Sequence, residues 1–280
     1  VRRRSVGHLM GELQQATARF PGFQLIQFND DEFLGDLETL REFCDAYRQA
    51  LDIPFFVVGF KPSMVDEERI GLLVDAGMRI VCMGIQTGCM RTMHQLYHRP
   101  TRREHIVRAT QVLNKFVGRI DPPFYDLIVD NPWETEQDQL ETLSLLLDIP
   151  KPYELQLFSL TFYPGTKLYE RARREGLLWD ESDQVCQKQF ATEHERTYIN
   201  GLFKLVQSQR APRWLTALLM HDRVRRLNWV WLPYFLNRVF QIIQLLEAGG
   251  RAALRGDWNR ITRYLRLCFG RRPKTYRSSA

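Results

Sequence analysis

Four short polar segments in this 280-residue sequence carry residue types suited to chemistry, and each follows a short apolar run. They are Asn29-Asp30-Asp31, Gly84-Ile85-Gln86-Thr87-Gly88, Asp130-Asn131-Pro132-Trp133-Glu134 and Tyr163-Pro164-Gly165-Thr166. Carboxylates suit a ligand with an ammonium group or ribose hydroxyls, and glycines let a ligand approach the backbone closely. Arg99, just before a helical pattern, could pair bidentately with a carboxylate. Taken singly, each segment also reads as an ordinary turn or cap, where Asp, Asn, Gly and Pro are common. Their shared position at strand ends is what points to a ligand site.

The elements that must position them alternate along the chain. Apolar, β-rich runs occupy 24–28, 55–60, 80–85, 125–129 and 154–162, with helical patterns at 6–20, 35–51, 66–76, 102–117 and 136–147. This alternation predicts βα units around a parallel sheet, in which ligands bind at the carboxyl ends of the strands. Runs such as Phe55-Phe56-Val57-Val58 predict a sheet covered on both faces. Thr101 with Glu104, and more weakly Thr135 with Asp138, read as capping boxes, and Gly77 as a helix C-terminus.

Composition narrows the classes. Hydrophobic residues at 44% and charged residues at 26% are globular values and argue against disorder. Five cysteines without regular spacing make no disulfide framework and no Cys-x-x-Cys site, which suggests a reducing, cytoplasmic setting. No apolar stretch approaches the ~20 residues needed to span a bilayer. The formal charge of +6 conceals an asymmetry. Residues 196–280 hold 17 Lys and Arg against three acids, a formal +14, while residues 1–195 carry a formal −8.

In order and spacing, Phe28-x-Asp30-Asp31-x-Phe33, Gly84-Ile85-Gln86-Thr87-Gly88, Tyr97-x-Arg99, Tyr125-Asp126-x-Ile128-x-Asp130-Asn131-Pro132-x-Glu134 and Tyr163-Pro164-Gly165-Thr166 resemble the radical S-adenosylmethionine superfamily. The resemblance is to the branch that usually carries an N-terminal cobalamin-binding domain. It covers residues 2–178 and does not extend over the basic C-terminal region. It implies an α/β fold, a partial (β/α)6 TIM-like barrel with its first strand missing, followed by a basic α-helical C-terminal region. The division expected is a barrel at 1–178, a linker at 179–195, helices at 196–270 and a frayed tail at 271–280.

The cofactors implied are S-adenosylmethionine, a [4Fe–4S] cluster and, in this branch, cobalamin, with a flavodoxin or ferredoxin as electron donor. By the same resemblance, Asn29, Asp30 and Asp31 stand where the methionine amino group is met. Gln86 and Thr87 stand at the ribose and methionine part, and Arg99 near the methionine carboxylate. Ile128 and Val129 stand at the adenine, with Asp130 and Asn131 at the polar end of that strand. Pro164 and Gly165 stand at the rim beside the adenine. The implied chemistry is a 5′-deoxyadenosyl radical used for C-methylation, rearrangement or cyclisation of a lipid, tetrapyrrole or natural product.

The family's Cys-x3-Cys-x2-Cys loop does not occur in the sequence. The chain opens on Val1 and on a helix, so the cluster ligands are expected upstream of Val1. Two rivals to this reading are a methylthiotransferase acting on tRNA and a non-catalytic barrel serving as a binding module. His94 and His98, one helical turn apart, read as part of a solvated helix, Cys82 and Cys89 as packed, and Tyr163 as a candidate to face substrate. The basic region, with helical patterns at 215–224, 229–246 and 258–268, has three readings. They are a folded cap, a membrane-surface helix and a nucleic-acid contact, the last not favoured.

Overall fold

The computed structural model describes residues 4–30, 33, 36–178 and 195–254, with side chains described as far as residue 247. Asp31, the greater part of the expected 179–195 linker and the expected helix at 258–268 lie outside the described residues. Five parallel strands, β1 (Ile26–Asn29), β2 (Phe55–Phe60), β3 (Met78–Gln86), β4 (Phe124–Val129) and β5 (Glu154–Ser159), lie side by side in sequential order. An order that never reverses means every right-handed crossover steps the same way. The connecting helices then gather on one face of the sheet. This is the winding of a TIM-like barrel, here as an arc of five strands.

Helix α1 (Val6–Arg19) precedes β1, and the linking helices are α2 (Leu37–Ala50), α3 (Glu67–Asp75), α4 (Arg103–Lys115) and α5 (Glu136–Asp148). All five overlap the helical patterns of the sequence. Gly77 ends the turn after α3 at φ 113°, where a side chain would be strained. Thr135 and Asp138 form the expected capping box, Asp138 N–H donating to Thr135 Oγ1 at 3.3 Å and Thr135 N–H to the Asp138 carboxylate at 2.7 Å. The other expected box is displaced by one residue. Arg102 is the N-cap of α4, and Thr101 is buried with its carbonyl 2.9 Å from His94 Nε2.

The two faces of the sheet differ, which corrects the expectation of a sheet covered on both sides. Phe55, Val57, Met83, Ile85, Tyr125, Leu127, Leu155 and Leu157 are buried in the main core beneath the helices. The alternate residues Phe56, Val58, Gly84, Gln86, Asp126, Ile128, Gln156 and Phe158 are only half-buried and face a lumen. Period-two alternation separates the faces.

At the first edge, Phe28 packs on Phe43 and Phe55 with ring centroids 5.6 Å away in each case, and Phe33 returns onto Phe28 at 4.8 Å. Phe28 and Phe33, which flank Asp30 and Asp31 in the sequence, both pack at the core. Beyond β5 come α6 (Lys167–Arg174), α7 (Tyr198–Gln207), α8 (Arg213–Met220), α9 (Asp222–Arg225) and α10 (Trp231–Leu254). Helix α7 is buried on nearly every side, and its Tyr198, Ile199, Leu202, Phe203, Leu205 and Val206 join the main core. It approaches α10 closely because residue 201 is glycine: a Cβ there would lie 2.9 Å from Pro233 and Tyr234.

Candidate functional site

The inward face of the sheet lines a cleft of about 550 Å³, and its walls are polar for a barrel interior. Gln27 and Asn29 enter from β1, Cys82 and Gln86 from β3, Asp126 from β4 and Gln156 from β5. Strand register sets Gly84, Asp126 and Gln156 in one row across the sheet. Gly84 contributes no side chain of its own to the row. A register shift between Gly84 and Gln86, with Gln86 at φ 69°, turns the end of β3 back on itself. Such a bulge re-aims a side chain. The Gln86 amide consequently folds over the face of Gly84, into the place a Cβ would occupy, and Arg99 Nη1 reaches to 3.9 Å from that point.

Asp126 is the carboxyl group of this interior. It accepts the Cys82 thiol at 3.2 Å through Oδ2, while Oδ1 is enclosed without a partner, the one such atom among the described residues lining this cleft. Burial pushes its pKa above the usual carboxylate range, and the same burial, with Asp126 beside it, pushes the Cys82 thiol up. An enclosed acceptor without a partner costs free energy unless a ligand or water meets it.

A second cleft, of about 440 Å³, shares Gln86 and Ile128 with the first. His98, Arg99, Lys167, Arg171 and Arg174 line it, with no carboxylate among its lining residues. Arg171 is engaged elsewhere, stacked 4.5 Å over the Trp133 ring and paired with Glu175 at 2.8 Å. The positive charge suits an anionic group of a ligand.

The sequence-designated residues divide accordingly. Asn29, Gln86 and Ile128 meet in the lumen, and Arg99 adjoins them. Asp30 is exposed one residue past β1. Thr87 is buried and turned away from the lumen, its hydroxyl donating to Glu134 at 3.0 Å and lying 3.0 Å from that of Thr142. Val129 is buried in the helix-side core. Asp130, at φ 55°, accepts from Ser159 Oγ at 2.8 Å and from Asn200 Nδ2 at 2.5 Å, so it fastens α7 to the rim. Asn131 is buried and holds the turn, accepting from Trp133 N–H at 3.1 Å and donating to the Tyr97 hydroxyl at 3.2 Å. Pro164 and Gly165 are exposed between Tyr163, which lines the lumen, and Thr166, which lines the second cleft.

Gln27, Asp126 and Gln156 were not singled out from sequence as site residues. Their signal is a polar residue at every second position of an otherwise apolar strand, as in Gln27-x-Asn29 or Asp126 between Tyr125 and Leu127. His94 lies in a π-helical turn (Thr92–Leu96) and His98 beyond it, in place of the solvated helix expected; no metal-ligand cluster occurs among the described residues. Cys89 is packed, as expected, and donates to Asp138 at 3.0 Å.

No family model matches the chain, and no curated protein matches its sequence. Solved structures do match. Coproporphyrinogen III oxidase (HemN) from Escherichia coli, a radical SAM enzyme, matches at 15% identity over 61% of this chain and 41% of that one, with a TM-score of 0.48. TsrM from Kitasatospora setae, a radical S-adenosylmethionine methyltransferase with cobalamin and a [4Fe–4S] cluster bound, matches at 18% identity over 55% of this chain and 31% of that one, TM-score 0.45. Elp3 from Methanocaldococcus infernus matches at 16% over 61% and 45%, TM-score 0.43. Two of these three neighbours are radical SAM enzymes. The chain spans 31 to 45% of the length of these structures.

Proposed function

We propose that this chain supplies the S-adenosylmethionine-holding lumen of a radical SAM enzyme of the cobalamin-dependent type. The observation that carries the reading is the convergence of Gln86 and Arg99 on the side-chain-free face of Gly84, in one row with the partnerless Asp126 Oδ1. S-adenosylmethionine is a zwitterion with an added sulfonium charge. Arg99 would take its carboxylate, and Asn29 and Gln86 would accept from its amino or ribose donors. Asp126 would lie beside a cation that favours its ionised form. When bound and reduced by one electron, the cofactor supplies a radical able to abstract hydrogen. The residues of the lumen bind it, orient it and exclude water. The reaction class that follows is C-methylation or a related rearrangement or cyclisation of a lipid, tetrapyrrole or natural-product substrate.

The cysteines among the described residues do not fit the cluster. Cys44, Cys82 and Cys89 are buried at separate places, and burial raises all three thiols, Cys44 to about 12 and Cys89 to about 11. Cluster ligation needs thiolates on one loop. Within this reading, the ligands come from a Cys-x3-Cys-x2-Cys outside the 280 residues. Reconstitution of this chain with iron and sulfide should leave no visible cluster absorption, whereas a stoichiometric cluster would contradict that assignment. Fusing such a loop upstream of Val1 should restore the absorption and yield 5′-deoxyadenosine on reduction.

A further inference from the structure

The outer face of α10 is apolar and is left uncovered by the described residues. Trp231, Phe235, Ile242 and Leu246 follow at i, i+4, i+11 and i+15, one helical stripe, and are 55%, 56%, 53% and 71% exposed. Trp229 stacks on Trp231 at 6.3 Å and is itself half exposed. Trp214 and Leu218 of α8 are also exposed. The opposite face of α10 is fixed, with Pro233 and Tyr234 against Gly201 and the Arg196 guanidinium 5.4 Å over the Tyr234 ring. The stripe is therefore held outward by packing on its other side.

Charge selects what covers it. Arg238 stands inside the stripe, at i+7 from Trp231, and is exposed. Arg223 is exposed on α9, and Arg226 is exposed as its C-cap. Past α10, residues 255–280 carry eight Lys and Arg against Asp257 alone. A dry protein interface would have to pair an arginine in the middle of its apolar patch. A second copy of this chain would bring like charges together. At a bilayer surface the same arginine extends to the headgroups while the aromatic rings sit at the acyl boundary. No helix among the described residues is long and apolar enough to cross a membrane.

We infer that α10 lies along an anionic membrane surface, its Trp231–Leu246 stripe inserted at the headgroup boundary and Arg238 at the phosphates. Anionic lipid is selected because each basic residue near such a surface adds attraction that salt screens.

Flotation of the purified chain with vesicles of phosphatidylcholine containing about one-third phosphatidylglycerol tests this. The chain should float with them at low salt, far less with pure phosphatidylcholine, and its tryptophan emission should shift to the blue. Trp231→Ser/Phe235→Ser/Ile242→Ser should cut partitioning by at least about tenfold, and Arg238→Glu should cut it several-fold. Because the substituted side chains are exposed, far-UV circular dichroism and the thermal midpoint should be unchanged. Failure to float would overturn the inference. So would flotation indifferent to the triple variant, or a dimer in analytical ultracentrifugation that the triple variant dissolves, since a second copy would then cover the face.

Discussion

Two polar clusters meet at the end of β3, and they are opposite in character. On the helix side, Thr87, Glu134, Thr142, Asp138, Arg91 and Cys89 close on one another: Arg91 pairs with Asp138 at 2.5 Å, and Gly88 N–H donates to Thr142 at 2.8 Å. On the lumen side, the Gln86 amide lies against the face of Gly84, and Asp126 Oδ1 is enclosed without a partner. Polar groups that satisfy one another fasten a fold, whereas polar groups that line a cleft are what a small-molecule site is built from. Adjacent residues of one motif, Gln86 and Thr87, belong to different clusters.

Two glycines of the same motif give the largest test of that contrast. A Cβ on Gly88 would lie 2.7 Å from the Thr142 backbone and 3.0 Å from Leu145, atoms that can yield only if α5 moves. Gly88→Val should lower stability by about 3 kcal/mol or more and the thermal midpoint accordingly. A Cβ on Gly84 would meet the far ends of two flexible side chains, Gln86 closely and Arg99 Nη1 at 3.9 Å. Gly84→Val should keep the midpoint within a few degrees while removing ligand binding. A large midpoint loss for Gly84→Val would merge the two clusters into one structural role.

Asp138 comes next. It is buried, caps α5 and accepts from Arg91, which chiefly holds its pKa below the usual carboxylate range. Asp138→Ala should cost roughly 2–3 kcal/mol in chemical denaturation, from the lost cap and charged hydrogen bonds. A group with a depressed folded pKa stabilises above its unfolded value of about 4 and loses that contribution as pH falls towards the folded one. The wild-type midpoint should therefore drop below about pH 4 more steeply than that of Asp138→Asn.

The smallest effect is in the lumen. Burial raises Asp126, so ionising it costs more in the folded than in the unfolded chain, and stability is lost as pH rises from about 4 through the folded value. Asp126→Asn removes that cost and should be neutral or stabilising by at most about 1 kcal/mol at neutral pH. A clear destabilisation would make Asp126 part of the fastening.

The periodic parts of the fold were readable. All five strands, the helix before them and the four helices between them overlap their apolar patterns, because each shows one face to the core. Helix α7 escaped, since a segment buried on nearly every side, such as Tyr198–Gln207, offers no polar face to set a period. Helix α6 escaped for a different reason: Lys167–Arg174 is only eight residues long, with Leu168, Tyr169 and Ala172 its only apolar positions, too short a run to establish a period. The expected helix at 215–224 is two helices, α8 and α9, meeting at His221. Of the residues that strand-end polarity marked, Asn29 and Gln86 line the lumen, and Arg99, marked by its place before a helical pattern, adjoins them. Strand-end polarity also pointed to Thr87, Asp130 and Asn131, whose side chains the chain uses to hold α5, α7 and the β4 turn. Residue type marks a strand end, but only the direction of the side chain separates ligand from fastener.

The most direct measurement is equilibrium dialysis of labelled S-adenosylmethionine against the chain and Gly84→Val, with circular dichroism confirming that both are folded. Saturable binding by the wild-type chain, weakened at least about tenfold by Gly84→Val and likewise by Arg99→Ala, is the result expected. Equal binding by all three, or none by the folded wild type, would contradict the assignment of the lumen.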